Sequence, residues 1–226
     1  MNELIHLDHT LFQAWNGSDC LFLDGFMWVY SELLTWLPVA ALLLWIIFRN
    51  FSGKQVLWIF LLLALLFVCS DQLTSSWLKP SVGRLRPTHD PQFMSTVNTV
   101  FGYTGGRWSF PSSHAANAFA LVGFTVPLIR RSLYTWVMIV WAVTISYSRI
   151  YLGVHFPSDI LAGTLIGSAL GALFYLFFRL ICSSRNANRN HPLRHTRVAA
   201  GDVRLFVYAV LLTHIIGMAV GAYLAY

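Results

Sequence analysis

Ser148-Arg149-Ile150-Tyr151-Leu152-Gly153-Val154-His155-Phe156-Pro157-Ser158-Asp159 lies between two long apolar runs. Pro157 and Ser158 are residues that open a helix, proline being pre-set for the first turn. A helix starting there puts Asp159 within reach of one imidazole nitrogen of His155, four residues before it. Such a carboxylate fixes the tautomer and leaves the second nitrogen free to attack an electrophile. Arg149 adds a permanent cation with a planar fork that suits a tetrahedral oxyanion such as phosphate. The stretch predicts a histidine nucleophile beside a phosphate clamp, at the mouth of an apolar segment.

The apolar flanks extend over the whole chain. Of 226 residues, 57% are hydrophobic and 11% charged, against about 25% charged in soluble domains. An integral membrane protein is the consequence. The net charge of +6 does not indicate nucleic acid, because the basic residues cluster at the ends of apolar runs. Cys20, Cys69 and Cys182 lie far apart and form neither a metal spacing nor a disulfide framework. The first residues lack the basic-then-apolar order of a cleavable signal, so the first membrane segment is expected to target the chain.

The expected fold is all-α: six transmembrane helices preceded by an interfacial amphipathic helix. Leu4, Leu7, Leu11, Phe12 and Trp15 give the first segment, residues 3–15, one apolar face. The spans are predicted at about 22–48 (kinked at Pro38), 56–78, 112–129, 133–147, 158–180 and 203–226. The long loop 79–111 is too extended to be a plain connection. Residues 1–226 read as one domain with a motif-bearing core at 79–159. The basic turns 49–54 and 130–131 and the loop 182–204, with Arg185, Arg189, Arg194 and Arg197, alternate with the motif loops. They assign themselves to the cytoplasm. Both termini and the motif loops are then outside. Gly163, Gly167 and Gly171 recur every four residues and predict close packing of the fifth span on a neighbour such as the third.

In this topology three segments converge on the outer face. Lys79, Arg84 and Arg86 end the second span, Phe110-Pro111-Ser112-Ser113-His114 opens the third, and the stretch above opens the fifth. Two of these are helix N-termini, where free N–H groups and the dipole favour an anion. Ser112 or Ser113 is the N-cap. Lys79, Arg86 and Arg149 neutralise phosphoryl oxygens, while of His114 and His155 one attacks and the other protonates the leaving oxygen.

Lysine, six residues and Arg-Pro (Lys79 to Arg86-Pro87), Pro-Ser-x-His (Pro111 to His114), and Ser-Arg-x-x-x-Gly-x-His-x-x-x-Asp (Ser148 to Asp159) occur in that order. Together they resemble the type 2 phosphatidic acid phosphatase superfamily, over residues 79–159. The resemblance implies that His155 forms a phosphohistidine, that Asp159 orients it, and that His114 is the acid and later helps activate water. Lys79, Arg86, Ser112, Arg149 and the Ser113 amide would hold the phosphate. It implies no metal and no cofactor. Ser113 departs from the usual glycine; its side chain either crowds the phosphate or adds a hydroxyl.

Other polar residues carry weaker signals. Arg84 is either a member of the cation cluster or a solvated, headgroup-binding charge. Asp71, a carboxylate inside the second span, either steadies a site cation or lies near the outer interface. Phe93, Phe101, Tyr103 and Trp108 either border a lipid entrance or pack the loop. His6, His9, His89, His191, His195 and His214 have no telling partner. The expected protein is a metal-independent lipid phosphatase acting on a monoester or pyrophosphate. Undecaprenyl pyrophosphate, phosphatidylglycerophosphate, phosphatidic acid and lipid A 1-phosphate are the candidates, the first two favoured by the small size and loop charges. It is expected in a bacterial inner membrane with an extracytoplasmic site, with the bilayer and its lipids as partners, without nucleic acid or an obligate protein partner. The competing readings are a phosphatase for a soluble ester such as a sugar phosphate, and a lipid-phosphate carrier without turnover.

Overall fold

The computed structural model describes residues 2–184 and 198–224. Regular structure among them is helical, apart from one isolated bridge between Leu85 and Trp108. The helices are α1 (Asn2–Trp15), α2 (Leu21–Ser31), α3 (Leu37–Asn50), α4 (Gly53–Asp71), α5 (Lys79–Val82), α6 (Ser113–Ile129), α7 (Ser132–Tyr151), α8 (Pro157–Ser184) and α9 (Ala200–Leu224). A π-helical segment, Gln72–Leu78, joins α4 to α5 without a break. Five stretches are long and apolar enough to cross a membrane, Leu33–Asn50, Gly53–Val82, Ser132–Tyr151, Pro157–Cys182 and Ala200–Leu224, and α6 is a shorter apolar helix. The arginines at 185, 189, 194 and 197, with His191 and His195, lie outside the described residues.

The first predicted span is not one kinked helix. The chain turns extended at Glu32, six residues before Pro38, and passes through a 3-10 turn, Leu33–Trp36. The carbonyls freed there are taken up locally: Thr35 Oγ1 donates to Val29 O (2.6 Å) and Trp36 Nε1 to Tyr30 O (2.9 Å). Pro38 sits in the first turn of α3, where its missing N–H costs nothing.

Ile46, Ile59, Leu66, Phe124, Met138 and Phe206 form the core between α3, α4, α6, α7 and α9. Leu57, Leu61, Leu161, Leu165 and Leu212 face outward. In hydrocarbon, leucine gains little by meeting leucine, so helix pairs are chosen by close backbone approach. Gly163, Gly167 and Gly171 of α8 lie against α6, where a Cβ would collide with the carbonyls of Ser112, Ala116 and Ala120. Gly25 and Gly221 bring α2 and α9 together in the same way.

α1 is docked on the protein, and its apolar stripe is divided. Phe12 is buried against Phe93, Ile150 and Phe156, whereas Leu4 and Leu7 stay exposed. Asp8, one turn before Phe12 on the same side of the helix, is only 8% exposed. The turn after α1 is tied to the end of α7: Asn16 Nδ2 and Gly17 N both donate to Tyr151 O at 3.0 Å.

Candidate active site

Arg149 occupies the last turn of α7, and the chain leaves the helix through Gly153, whose φ of +76° is left-handed. Glycine is required there twice over, since a Cβ would also strike Val97 and the Asn98 carbonyl. Val154 N donates back to Arg149 O at 3.1 Å, which turns the next residue, His155, inward. His155 is 1% exposed. Its Nδ1 stands 3.4 Å from Asp159 Oδ2 and makes no aligned hydrogen bond. Free enzymes often hold such pairs loosely before substrate binds.

Asp159 is fixed from three directions. Its Oδ2 accepts from Ser109 Oγ and from the backbone amide of Phe156, both at 2.8 Å, and its Oδ1 accepts from Arg84 Nη1 at 2.9 Å. Arg84 is thus not a solvated charge. It stacks 4.1 Å over the Phe156 ring and forms a second ion pair, Nη2 to Asp8 Oδ2, at 2.6 Å.

Burial, reinforced by Arg86, Arg149, Lys79 and Arg84, pushes His155 well below its ordinary value. Desolvation penalises the imidazolium, and the cations repel its proton, so the neutral, nucleophilic form is favoured. Burial, and then Arg149, likewise lowers Arg86. Arg86 donates from Nε to Trp108 O (3.1 Å) and packs on Gly105, while its Nη1 is buried without a hydrogen-bond partner. Arg149 donates from Nη2 to the Tyr103 hydroxyl (3.1 Å), and its Nε is likewise buried and unpartnered. Two buried guanidinium groups with unpaired donors are an arrangement that an anion satisfies.

Ser112, not Ser113, is the N-cap of α6, its hydroxyl accepting from Ala115 N at 3.4 Å. The Ser113 side chain turns to the other flank, toward Lys79. Lys79 Nζ donates to Ser113 Oγ (2.9 Å), Ser113 and Ser75 share a hydrogen bond (2.9 Å), and Ser75 Oγ donates to Asp71 Oδ1 (2.9 Å). Thr74 Oγ1 also donates to Ser113 Oγ (3.0 Å). The π-helical winding presents Thr74 and Ser75 side by side to this hydroxyl; such segments are frequent at functional sites. Of the two readings of Ser113, the added hydroxyl is the one observed, and Asp71 reaches a site cation through two hydroxyls. His114 is exposed in the first turn of α6 and within electrostatic reach of Arg149, His155, Lys79 and Arg86.

The structure therefore brings Lys79, Arg86, Ser112, Ser113, His114, Arg149, His155 and Asp159 to one end of the bundle. It adds four residues that sequence reasoning did not place in the site: Asp8, Arg84, Tyr103 and Ser109. Arg84, two residues from Arg86, was an open candidate, and Tyr103 was one of the loop aromatics expected either to border a lipid entrance or to pack the loop. Asp8 and Ser109 gave no signal.

A family model described as the PAP2 superfamily matches residues 60–183. The lipid A 4'-phosphatase of Porphyromonas gingivalis is 36% identical over 214 residues, 93% of this chain and 89% of that protein. The lipid A 4'-phosphatase of Bacteroides thetaiotaomicron is 34% identical over 214 residues, 94% of this chain and 95% of that protein. The crystal structure of Aquifex aeolicus LpxE superposes with a TM-score of 0.55 at 30% identity, covering 74% of this chain and 94% of that one.

Proposed function

This chain belongs to the PAP2 superfamily, and we propose that it removes a phosphate from a glucosamine-based membrane lipid of the lipid A kind, through a phosphohistidine. It is an integral membrane lipid phosphatase, a phosphoric-ester hydrolase. The substrate class is supported by the lipid A 4'-phosphatases that match nearly the whole chain. That weighting differs from the undecaprenyl and phosphatidylglycerol compounds favoured by size and loop charge alone.

The observation that carries the chemistry is the convergence of buried Arg86 and Arg149, each with an unpaired donor, on the buried imidazole of His155. Arg86, Arg149 and Lys79 hold the phosphoryl oxygens, with Ser112 and the Ser113 amide at the α6 N-terminus. His155 Nε2 attacks phosphorus as the ester P–O bond breaks, and His114 gives its proton to the leaving sugar oxygen. Asp159 holds Nδ1–H. Water, deprotonated by His114, then displaces phosphate from Nε2 and restores the imidazole.

The membrane placement has six crossings. Ser113–Ile129, at 17 residues and ~1.5 Å per residue, reaches about 25 Å and adds the sixth to the five longer ones. α1, with exposed Leu4, Leu7 and Trp15, lies at the same end as the site, in the interface. We place that end on the extracytoplasmic side of a bacterial inner membrane, because the basic turns at Arg49 and Arg130-Arg131 lie at the other ends of their helices.

The test is phosphate release by the purified protein in detergent with EDTA, wild type against His155→Ala. The panel comprises a lipid A bearing 1- and 4'-phosphates, undecaprenyl pyrophosphate, phosphatidylglycerophosphate, phosphatidic acid and glucose 6-phosphate. Chelator-resistant release from lipid A, lost in the variant, is expected. Release from glucose 6-phosphate alone would give the soluble-ester reading, and lipid binding without turnover the carrier reading.

A further inference from the structure

Asp8 is the one acidic side chain of α1 that is buried, and every polar contact it makes leads to the site. Its Oδ1 accepts from the Ser158 amide (2.8 Å) and its Oδ2 from Ser158 Oγ (2.6 Å), so it caps the first turn of α8 from another helix. The same Oδ2 pairs with Arg84 Nη2, and Arg84 Nη1 reaches both Ser158 Oγ (2.6 Å) and Asp159 Oδ1 (2.9 Å). Arg84 is three-quarters buried and would be costly there without carboxylates on both sides. We infer that Asp8 is a positioning residue of the hydrolytic site, acting through Arg84 and Ser158 on Asp159 and through Asp159 on His155. The inference rests on the reading of His155 as nucleophile.

The geometry also sets the electrostatics. The charged and titratable groups around His155 are Asp159 from α8, Arg149 from α7, Lys79, Arg84 and Arg86 from the segment after α4, and His114 from α6. Asp8, and His9 against the far side of Phe156, come from α1. Asp8 offsets Arg84. Neutralising Asp8 leaves Arg84 free to repel a proton from His155, and removing Arg84 does the reverse.

The experiment compares kcat, KM and the pH profile of kcat/KM for wild type, Asp8→Asn, Arg84→Gln, the double variant and His155→Ala, on whichever substrate the wild type hydrolyses. Thr10→Ala, on the exposed face of α1, is the control and should behave as wild type. In Asp8→Asn, kcat should fall about tenfold or more, as displaced catalytic groups do, with KM within about twofold because Lys79, Arg86 and Arg149 are untouched. The acid limb should move to lower pH in Asp8→Asn and to higher pH in Arg84→Gln, and the double variant should lose less than the product of the two singles. A general loss of structure lowers amplitude without opposite shifts. If Asp8→Asn does not fold, Ser158→Ala tests the positioning, with a smaller fall in kcat and no shift of the limb, since it removes no charge. Unchanged kcat, or a fall with an unmoved acid limb, in a folded Asp8→Asn, or unchanged kcat in a folded Ser158→Ala, overturns the inference while His155→Ala stays inactive. An active His155→Ala overturns the nucleophile reading itself and the inference with it.

Discussion

The backbone amide of Ser112 donates to the carbonyl of Asp159 across 3.0 Å, so the N-cap of α6 hangs on the first turn of α8. The two helices that carry His114 and Asp159 are thereby fixed in register at their site ends. Gly163, Gly167 and Gly171 continue the contact down the pair.

The first prediction concerns that contact. A side chain at Gly167 meets the Ala116 backbone, which cannot swing away as a flexible side chain would. Gly167→Val should cost at least the ~1–3 kcal/mol of overpacking and lower the unfolding temperature in detergent. Activity should fall with the folded fraction. An unchanged melting curve would refute the packing account.

Ser113→Gly restores the residue usual in the superfamily and removes the hydroxyl that holds Lys79. A hydrogen bond to a charged group is worth ~1.5–3 kcal/mol, part of which the substrate's own oxygens replace. KM should rise about tenfold or less, with kcat changed little, and inorganic phosphate should inhibit less. A change confined to kcat would show that the hydroxyl does not act through binding.

Tyr103→Phe removes the hydroxyl that accepts from Arg149 and keeps the ring that packs on Trp28. The loss of about 1 kcal/mol corresponds to roughly a fivefold lower kcat/KM at unchanged stability. Stopped-time phosphate assays read it directly.

His155 is held well below its ordinary value of 6.5, by burial first and then by Arg86 and Arg149. The unfolded chain therefore binds this proton more readily than the folded one. The associated stability is complete above about pH 6.5 and is lost as pH falls through the depressed value. With His155 as the proposed nucleophile, catalysis should follow the same sign, because burial and the nearby cations favour its deprotonated form at mildly acidic pH. The rising limb of kcat/KM should lie below 6.5, and a limb at or above it contradicts the assignment.

The helices were legible because apolar runs and the glycine spacing at 163, 167 and 171 are local signals. The three motifs were legible because phosphate chemistry confines residue types over short spacings. The break at Glu32 was not, since it depends on Thr35 and Trp36 reaching back for carbonyls, and Pro38 drew attention to the wrong place. Asp8 stands one turn before Phe12, among the apolar residues of α1. A helical wheel puts it on the docked side but cannot show that its partners there are Arg84 and Ser158. Tyr103 lies 46 residues from Arg149, too far in sequence for any pattern to join them.

Asp8 and Ser158 also meet across 150 residues of chain, which has a consequence for biosynthesis. At roughly 5–20 residues per second, Asp8 leaves the ribosome about 8–30 s before its partner. Arg84 is made about halfway through that interval and until its end has a carboxylate on one side only, with Asp159 not yet made. The hydrolase is assembled last-to-first: the segment made earliest becomes part of the site only after α8 has entered the bilayer. A chain arrested before that point lacks His155 and Asp159, and the closing of the Asp8–Ser158 contact completes their surroundings.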